Sequence, residues 1–539
     1  MAHPADEESL NTITSTSSER TPLLDPERQS DNASTISNHE PLLPKASHAI
    51  DDDVKPEAST LGRKIGWSSA YILVISRVIG SGIFAMPGII LQDVGSPGLA
   101  LTLWVLGALV AWAGLAISIE YGAMLPRSGG VKVYLEYTYR WPRFLASTMV
   151  AVQAVLLGFT ATNCIIFAKY ILFAANKEPT DLTTKVLAAG LLTLITVIHG
   201  GFYRTGIWIQ NALGWLKISL TIFMIATGIL ATLFFSHRQP LSTWDGIWVD
   251  SNWELNTLST TLFKVLYSFA GLENVNNVLN EVKNPVRTVK TVGPAALLTT
   301  LVLYLLINIA YLSVVPLDQL KQSRELIAAL FFENLGLGRA FLPVAIALSA
   351  AGNVMVVTFS LARLNQEIAR QGFLPCQRLL ASNEPFGSPL GGLIVHYIPS
   401  LLVIVLPPSS SVYSFIVDVE LYAAQWYGLA VTAGLVLLRY KKPDLKRPFK
   451  AWLPAVWFRV FLGISLILAP LFPPKDGASD VGFFYATYAL VGLAVIIFGF
   501  LYWYAMAVAI PRYRGYVLEE EFHTLKDGTA ITKLVHRPA

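Results

Sequence analysis

Ile75-Ser-Arg-Val-Ile-Gly-Ser-Gly-Ile-Phe-Ala-Met-Pro87 lies inside an apolar segment long enough to cross a bilayer, yet it carries Gly80, Ser81, Gly82 and Pro87 where a plain spanning helix would carry Leu and Val. Glycine lets the backbone leave the helix and proline removes a donor, so N–H and C=O groups lose their partners there. In hydrocarbon such groups persist only where they face a cavity, a ligand or other protein. The break is therefore a candidate binding site. A second interruption, Ser268-Phe-Ala-Gly271, falls in a later apolar segment, and paired interrupted helices are the sequence mark of a secondary transporter.

Composition agrees. Of 539 residues, 53% are apolar and 14% charged, and the mean hydropathy of +0.52 is far from that of a soluble domain. A span takes about 20 apolar residues. On that measure about 12 segments qualify, beginning near Gly66, Pro97, Phe144, Thr184, Trp208, Thr260, Gly293, Phe341, Pro389, Val412, Leu453 and Gly482. The expected architecture is an all-α polytopic membrane protein.

Basic residues gather in alternate connections: Arg127, Lys132, Arg140 and Arg143; Lys283, Arg287 and Lys290; Arg363, Arg370 and Arg378; and Arg439 to Lys450. The positive-inside rule then places both termini in the cytosol. Because the charge is sorted in this way, the net +4 gives no reason to expect a nucleic-acid partner, and the lipid bilayer is the expected surroundings.

Three parts follow: a disordered cytosolic N-terminal tail (1–64), a transmembrane domain (65–510) and a cytosolic C-terminal tail (511–539). The first lacks the apolar core of a signal peptide and is rich in Ser, Thr, Asp, Glu and Pro. Glu19-Arg-Thr-Pro-Leu-Leu24 resembles an acidic dileucine sorting signal and Pro41-Leu-Leu43 echoes it, although chance leucine pairs read the same way. The plasma membrane is the expected destination and the vacuolar membrane the alternative. Asn32-Ala-Ser34 is a glycosylation sequon that this topology keeps in the cytosol. Cys164 and Cys376 make no disulfide framework. Within the membrane domain the longest outer connection runs from His237 to Leu258, and Arg324 to Leu335 reads as a short helix lying on the outer surface. The interrupted segments are the first and sixth, the separation that a five-plus-five inverted repeat with two added helices requires.

At the first break, amides opening the next half-helix can receive a carboxylate, aided by the positive end of its dipole and the Ser81 hydroxyl. A small-residue packing face between helices is the bland alternative. Tyr267-Ser-Phe-Ala-Gly-Leu-Glu273 combines an aromatic pair, Tyr267 and Phe269, with Gly271 and a carboxylate. Carbonyls freed there can accept an ammonium, so opposite helix ends would hold the two ends of a zwitterion.

Intramembrane charges are costly and usually functional. Lys217 lies deep in Gly214-Trp-Leu-Lys-Ile-Ser-Leu220, where a coupling role competes with that of an ammonium satisfied by backbone carbonyls. Arg77 lies one turn before Gly80, aimed at the pathway or at a cytosolic gate. Glu273 suits a structural partner as well as substrate, and Glu120, Glu281 and Glu367 near cytosolic ends fit gate ion pairs or plain solvation. With no phosphate-binding loop, His-Glu-x-x-His, paired-cysteine spacing or serine elbow, no enzymatic activity, metal or cofactor is expected. The eight histidines are scattered.

Ile79-Gly-Ser-Gly-Ile-Phe84, with Gly95-Ser-Pro-Gly-Leu-Ala100, resembles the first and second spans of the L-type amino-acid transporters of the amino acid-polyamine-organocation superfamily. Pro126-Arg-Ser-Gly-Gly130, Glu281-Val-Lys-Asn-Pro-Val-Arg287 and Arg370-Gln-Gly-Phe-Leu-Pro375 resemble that family's cytosolic loop signatures, and Asn276 to Lys290 is most similar to the fungal high-affinity methionine-permease branch. The resemblance implies a leucine-transporter-like fold and alternating access. It implies a substrate carboxylate on Gly80, Ser81 and Gly82, an ammonium on carbonyls near Ile79 and at Tyr267, Ser268 and Ala270, a gating aromatic at Tyr267, and eighth-span Ser349 and Asn353 beside the unwound first span. Lys217 matches a fifth-span lysine that stands where sodium-coupled relatives bind sodium, which implies proton coupling or exchange; a desolvated ammonium can give up its proton.

Departures accompany the likeness. Arg77 replaces a small or neutral residue, Glu273 replaces an amide, and the outer loop from Ala174 to Thr184 has no cysteine to hold the disulfide-linked heavy subunit of the animal heteromers. The expectation is a proton-coupled carrier of neutral amino acids, foremost methionine. A carrier of cationic amino acids or polyamines, with Glu273 pairing the extra charge, and a transporter-like nutrient sensor are the alternatives.

Overall fold

A computed structural model describes residues 65–538 apart from 81, 235–245, 324–325, 337–340, 383–385, 407–411, 474–483 and 525–529. The leucine pairs, the Asn32 sequon, Ser81 and Arg324 lie outside the described residues, as does the side chain of Glu281.

The apolar segments fold as helices because a helix pairs nearly every backbone group within its own segment. Among the described residues nine helices are long and apolar enough to cross a membrane, and the first span adds a tenth as two helices, Trp67–Val78 and Gly82–Val94, bent by 42°. Leu390–Val405 and Leu255–Ser268 are shorter; with them the helix order is compatible with about twelve spans, fewer of which are of full membrane length than the sequence led us to expect. The sixth span is Leu255–Ser268, a non-helical turn, and a 3₁₀ helix Asn274–Glu281, so the two interruptions stand five helices apart as expected. One core joins spans one, two, six, seven and eight through residues such as Phe84, Trp104, Val265, Tyr304 and Ile346.

Several boundaries differ. The seventh helix begins at Pro285 instead of Gly293, because proline in a first turn lacks only an N–H that has no helical partner anyway. The sixth begins at Leu255 and the twelfth at Thr487, displaced from Thr260 and Gly482, whereas the apolar part of the fifth starts at Trp208 as expected within a helix that opens at Tyr203. The third span is interrupted between Leu145–Leu156 and Ala161–Ala174, which the sequence reading did not expect. The segment after the seventh span forms helix Ile327–Asn334, but Ile327, Ala328, Phe331 and Phe332 are buried. Phe331 meets the Tyr311 ring with centroids 5.5 Å apart, so this helix is packed into the body of the protein and does not lie upon it.

The C-terminal stretch contains an antiparallel hairpin, β1 (Tyr516–Thr524) and β2 (Ala530–Pro538), in register from Tyr516↔Pro538 to Thr524↔Ala530. Leu534 anchors it in a small apolar cluster with Ile368, Phe373 and Ala151.

Candidate substrate site between the broken spans

The first span stops at Val78, where the Ile79 N–H closes the last bond onto the Ile75 carbonyl. The last carbonyls of a helix have no helical partner, and here other spans supply donors. Lys217 Nζ donates to the Ser76 carbonyl at 2.6 Å. The Tyr304 hydroxyl lies 3.0 Å from the Val78 carbonyl and 2.9 Å from that of Ser268, the last helical residue of Leu255–Ser268. A single phenolic proton thus serves the ends of both broken helices. Tyr304 is fully buried between the rings of Trp104, at 5.4 Å, and Phe269, also at 5.4 Å. Pro87 cannot donate to the Ile83 carbonyl one turn back, and the Tyr311 hydroxyl lies 3.4 Å from that oxygen. The Phe84 carbonyl accepts from Tyr170 at 2.9 Å.

The two breaks meet directly. A Cβ on Gly82 would lie 2.9 Å from Ser268 Oγ and 3.1 Å from its Cα, while one on Gly80 would lie 2.0 Å from Asn353 Nδ2. Gly271, at φ +106°, packs on Arg77, and a Cβ there would come within 2.5 Å of the arginine Cγ. A Cβ at Gly82 would press on the Ser268 backbone, while at Gly80 and Gly271 it would displace the Asn353 amide and the Arg77 stem from where they lie. The structure therefore brings Gly80, Gly82, Ser268, Gly271, Arg77 and Asn353 together, with Ile79 buried beside them. Phe269 is buried against Trp104 and Tyr304, whereas Ala270 and Glu273 are exposed. The Tyr267 hydroxyl lies 3.2 Å from Thr162 Oγ1 and accepts from Asn163 Nδ2 at 3.5 Å, which ties the sixth span to the third.

Lys217 is 1% exposed. Besides the Ser76 carbonyl it reaches Asn353 Oδ1 at 3.0 Å, and it feels the charge of Arg77. The fifth span, the unwound first span and the eighth span thus share one polar junction. Ser349 is fully buried one turn before Asn353, and its hydroxyl has no hydrogen-bond partner among the described residues.

The other carboxylates divide. Glu273 accepts from Ser118 of the second span at 2.5 Å and interacts electrostatically with Arg459 of the eleventh, whose guanidinium also donates to Gln425 at 3.1 Å. Glu120, fully buried, accepts from Arg439 Nε at 3.0 Å and from the Ala451 N–H at 2.7 Å, with Arg447 3.5 Å away. It fastens the second span to the segment between the tenth and eleventh. Glu367 has Gln371 at 3.3 Å and Arg370 at 3.8 Å, neighbours on its own helix.

Sequence reasoning passed over several intramembrane polar groups. Asp93 and Lys264 form a buried ion pair at 2.7 Å that joins the later half of the first span to the earlier half of the sixth. Arg459 was also missed, as were Glu420 of the tenth span, which feels Arg77, and His396 of the ninth. Each is a polar residue within an apolar run, the signal that singled out Lys217. Among the described residues no group of three or more His, Cys, Asp or Glu could hold a metal ion, and both cysteines are free.

The sequence profile of the family described as amino acid permease matches residues 65–507. The low-affinity methionine permease of Saccharomyces cerevisiae is 33% identical over 486 residues, covering 88% of this chain and 88% of its own. The high-affinity methionine permease of the same organism is 33% identical over 479 residues, or 86% of this chain and 83% of its own. The human cystine/glutamate transporter is 29% identical over 410 residues, which are 74% and 79% of the two chains. The low- and high-affinity relatives match at equal identity, so the likeness to methionine permeases holds without favouring either kind.

Proposed function

The chain belongs to the amino acid permease family, whose members transport amino acids across membranes, and on that premise we propose that it is a secondary carrier of neutral amino acids, with methionine the principal cargo. One observation carries the reading: helix ends of opposite polarity converge where the two breaks meet, with Gly82 against Ser268 and Tyr304 between the Val78 and Ser268 carbonyls. The N-terminus of Gly82–Val94 offers the positive end of a dipole to a carboxylate, received by the Gly80, Ser81 and Gly82 backbone. The C-terminal ends of Trp67–Val78 and Leu255–Ser268 offer carbonyls to an ammonium near Ile79, Tyr267, Ser268 and Ala270. Phe269 and Gly271 complete the turn that exposes them. Apolar side chains of the first, third and sixth spans leave an uncharged substrate tail at no electrostatic cost. Methionine is favoured by identity to two relatives that bear its name.

In this reading Tyr267 gates the site, Ser349 and Asn353 face the unwound first span, and Lys217 couples transport to protons, because proton loss would remove the charge that strengthens its bonds to both the Ser76 carbonyl and Asn353. Arg77 packs at Gly271 as a gate or specificity element. Glu273 already shares its charge with Arg459, which weighs against the alternative of a cationic cargo. Both termini lie in the cytosol, and the carrier works in the plasma membrane without a disulfide-linked subunit.

The test is tracer methionine uptake by proteoliposomes under an imposed inward proton gradient. Accumulation that collapses when the gradient is dissipated, and competition by neutral amino acids but not by lysine or spermidine, is expected. Competition by lysine would transfer the assignment to the cationic alternative, and accumulation indifferent to the gradient would remove the proton.

A further inference from the structure

The interruption of the third span has a partner that the transport reading leaves unused. Its first half-helix stops at Leu156 and the second starts at Ala161, the Cys164 N–H bonding the Thr160 carbonyl at 3.2 Å. The Gly158 carbonyl, which in an unbroken helix would accept from the N–H four residues on, instead faces His396 Nδ1 at 2.8 Å. A carbonyl only accepts, so Nδ1 carries a proton and Nε2 is left to pair with Thr358 Oγ1 at 3.2 Å or Thr160 Oγ1 at 3.4 Å. The Thr160 N–H donates to Ser400 Oγ at 3.3 Å. His396 and Ser400 are one turn apart on the same face of Leu390–Val405, and both are fully buried. Two backbone groups released by the break thus find their partners on one stripe of the ninth span. The backbone is also held to a glycine here, since a Cβ on Gly158 would lie 2.2 Å from the Ala154 carbonyl oxygen.

Thr162 and Asn163, the residues that meet the Tyr267 hydroxyl, lie in the first turn after this break. The rotation of the second half-helix about its axis, which the break sets, decides where both side chains point. We propose that His396 is a positioning residue for the gate: by pinning the Gly158 carbonyl and the adjacent threonines it holds Thr162 and Asn163 against Tyr267. This rests on the reading of Tyr267 as the gate. A histidine that merely secures a kinked helix would support folding equally, but it would show no energetic dependence on a tyrosine hydroxyl in another span.

The experiment is a double-substitution cycle on the full-length chain in proteoliposomes, with tracer methionine as the probe and KM and Vmax read at matched protein level. His396→Ala is expected to raise KM about fivefold with Vmax held within about twofold. His396→Gln, whose amide can donate to Gly158 and accept from a threonine, should restore most of the loss. Tyr267→Phe should raise KM by a similar factor, and the double variant should be no worse than the worse single, because both remove one shared contact. Effects that multiply in the double variant, or a His396→Gln as impaired as the alanine, would overturn the role given to His396 alone. An unchanged KM in Tyr267→Phe would instead defeat the gate reading, and this inference with it. Should His396→Ala fail to insert, Thr358→Val, which removes the hydroxyl from Nε2, takes its place in the same cycle with the same outcomes.

Discussion

Lys217 Nζ lies 2.6 Å from the carbonyl oxygen of Ser76, the group that an unbroken first span would pair with the backbone N–H four residues on, at Gly80. An ammonium from the fifth span therefore replaces the backbone donor that the glycine break takes away, and its second bond, to Asn353 Oδ1 at 3.0 Å, ties the junction to the eighth span. The junction thus joins three spans through one side chain.

Replacing Lys217 with Ala leaves the Ser76 carbonyl and the Asn353 amide without this donor. Accumulation of methionine against its gradient should be lost, and counterflow exchange should fall by about tenfold or more, as expected when a charged hydrogen bond of about 1.5–3 kcal/mol goes missing from a moving junction. Uptake driven by a pH gradient is the readout, and its survival at the parental level would take Lys217 out of the coupling role.

Gly80→Ala places a methyl 2.0 Å from Asn353 Nδ2. Overpacking of this kind costs about 1–3 kcal/mol, a loss that a multispan protein can survive. Membrane insertion should therefore persist while uptake stops, and full uptake by a correctly inserted variant would show that the approach of Asn353 to Gly80 is incidental.

Tyr304→Phe keeps the ring between Trp104 and Phe269 but removes the hydroxyl from the Val78 and Ser268 carbonyls. Each buried acceptor left unmet costs about 1–3 kcal/mol, so the thermal midpoint in detergent should fall. Added methionine should recover part of the loss, since its ammonium supplies donors to the same helix ends. A variant that melts with the parent would show that other donors already serve those carbonyls.

Lys264→Met takes the ammonium away from the Asp93 carboxylate, whose side chain is 6% exposed. Removing one member of a buried ion pair typically costs about 3–5 kcal/mol, more than removing both, so Asp93→Asn combined with Lys264→Met should be more stable than Lys264→Met alone. Equal stability of single and double variants, measured by thermal melts, would mean that water reaches the pair.

The pattern of these residues explains what was legible beforehand. Gly80, Gly82 and Pro87 stand together in one apolar run, and Gly271 follows an aromatic pair in another, so both breaks were visible as clusters. The third-span break has only Gly158, and a lone glycine in a helical pattern is ordinarily tolerated; its other half, His396 and Ser400, sits 236 and 240 residues away from Thr160 in the chain, where spacing carries no information. For the same reason the pairing of Lys264 with Asp93, 171 residues apart, could not be read from spacing, and both were passed over. The C-terminal hairpin escaped because Glu519-Glu-Glu521 breaks the alternation of apolar residues in its first strand, although Asp527-Gly528 ahead of Ile531, Thr532 and Val535 is a hairpin signal.

The account turns on an amino acid's two charged ends being held between the broken spans. Uptake of tracer methionine into proteoliposomes, challenged in parallel with unlabelled methionine, N-acetylmethionine and methionine methyl ester, tests it most directly. Methionine should compete fully and both blocked forms should be weaker by about a hundredfold or more, since each forfeits a charge-assisted contact of about 1.5–3 kcal/mol and leaves buried backbone groups unpaired. Equal competition by either blocked form would contradict it.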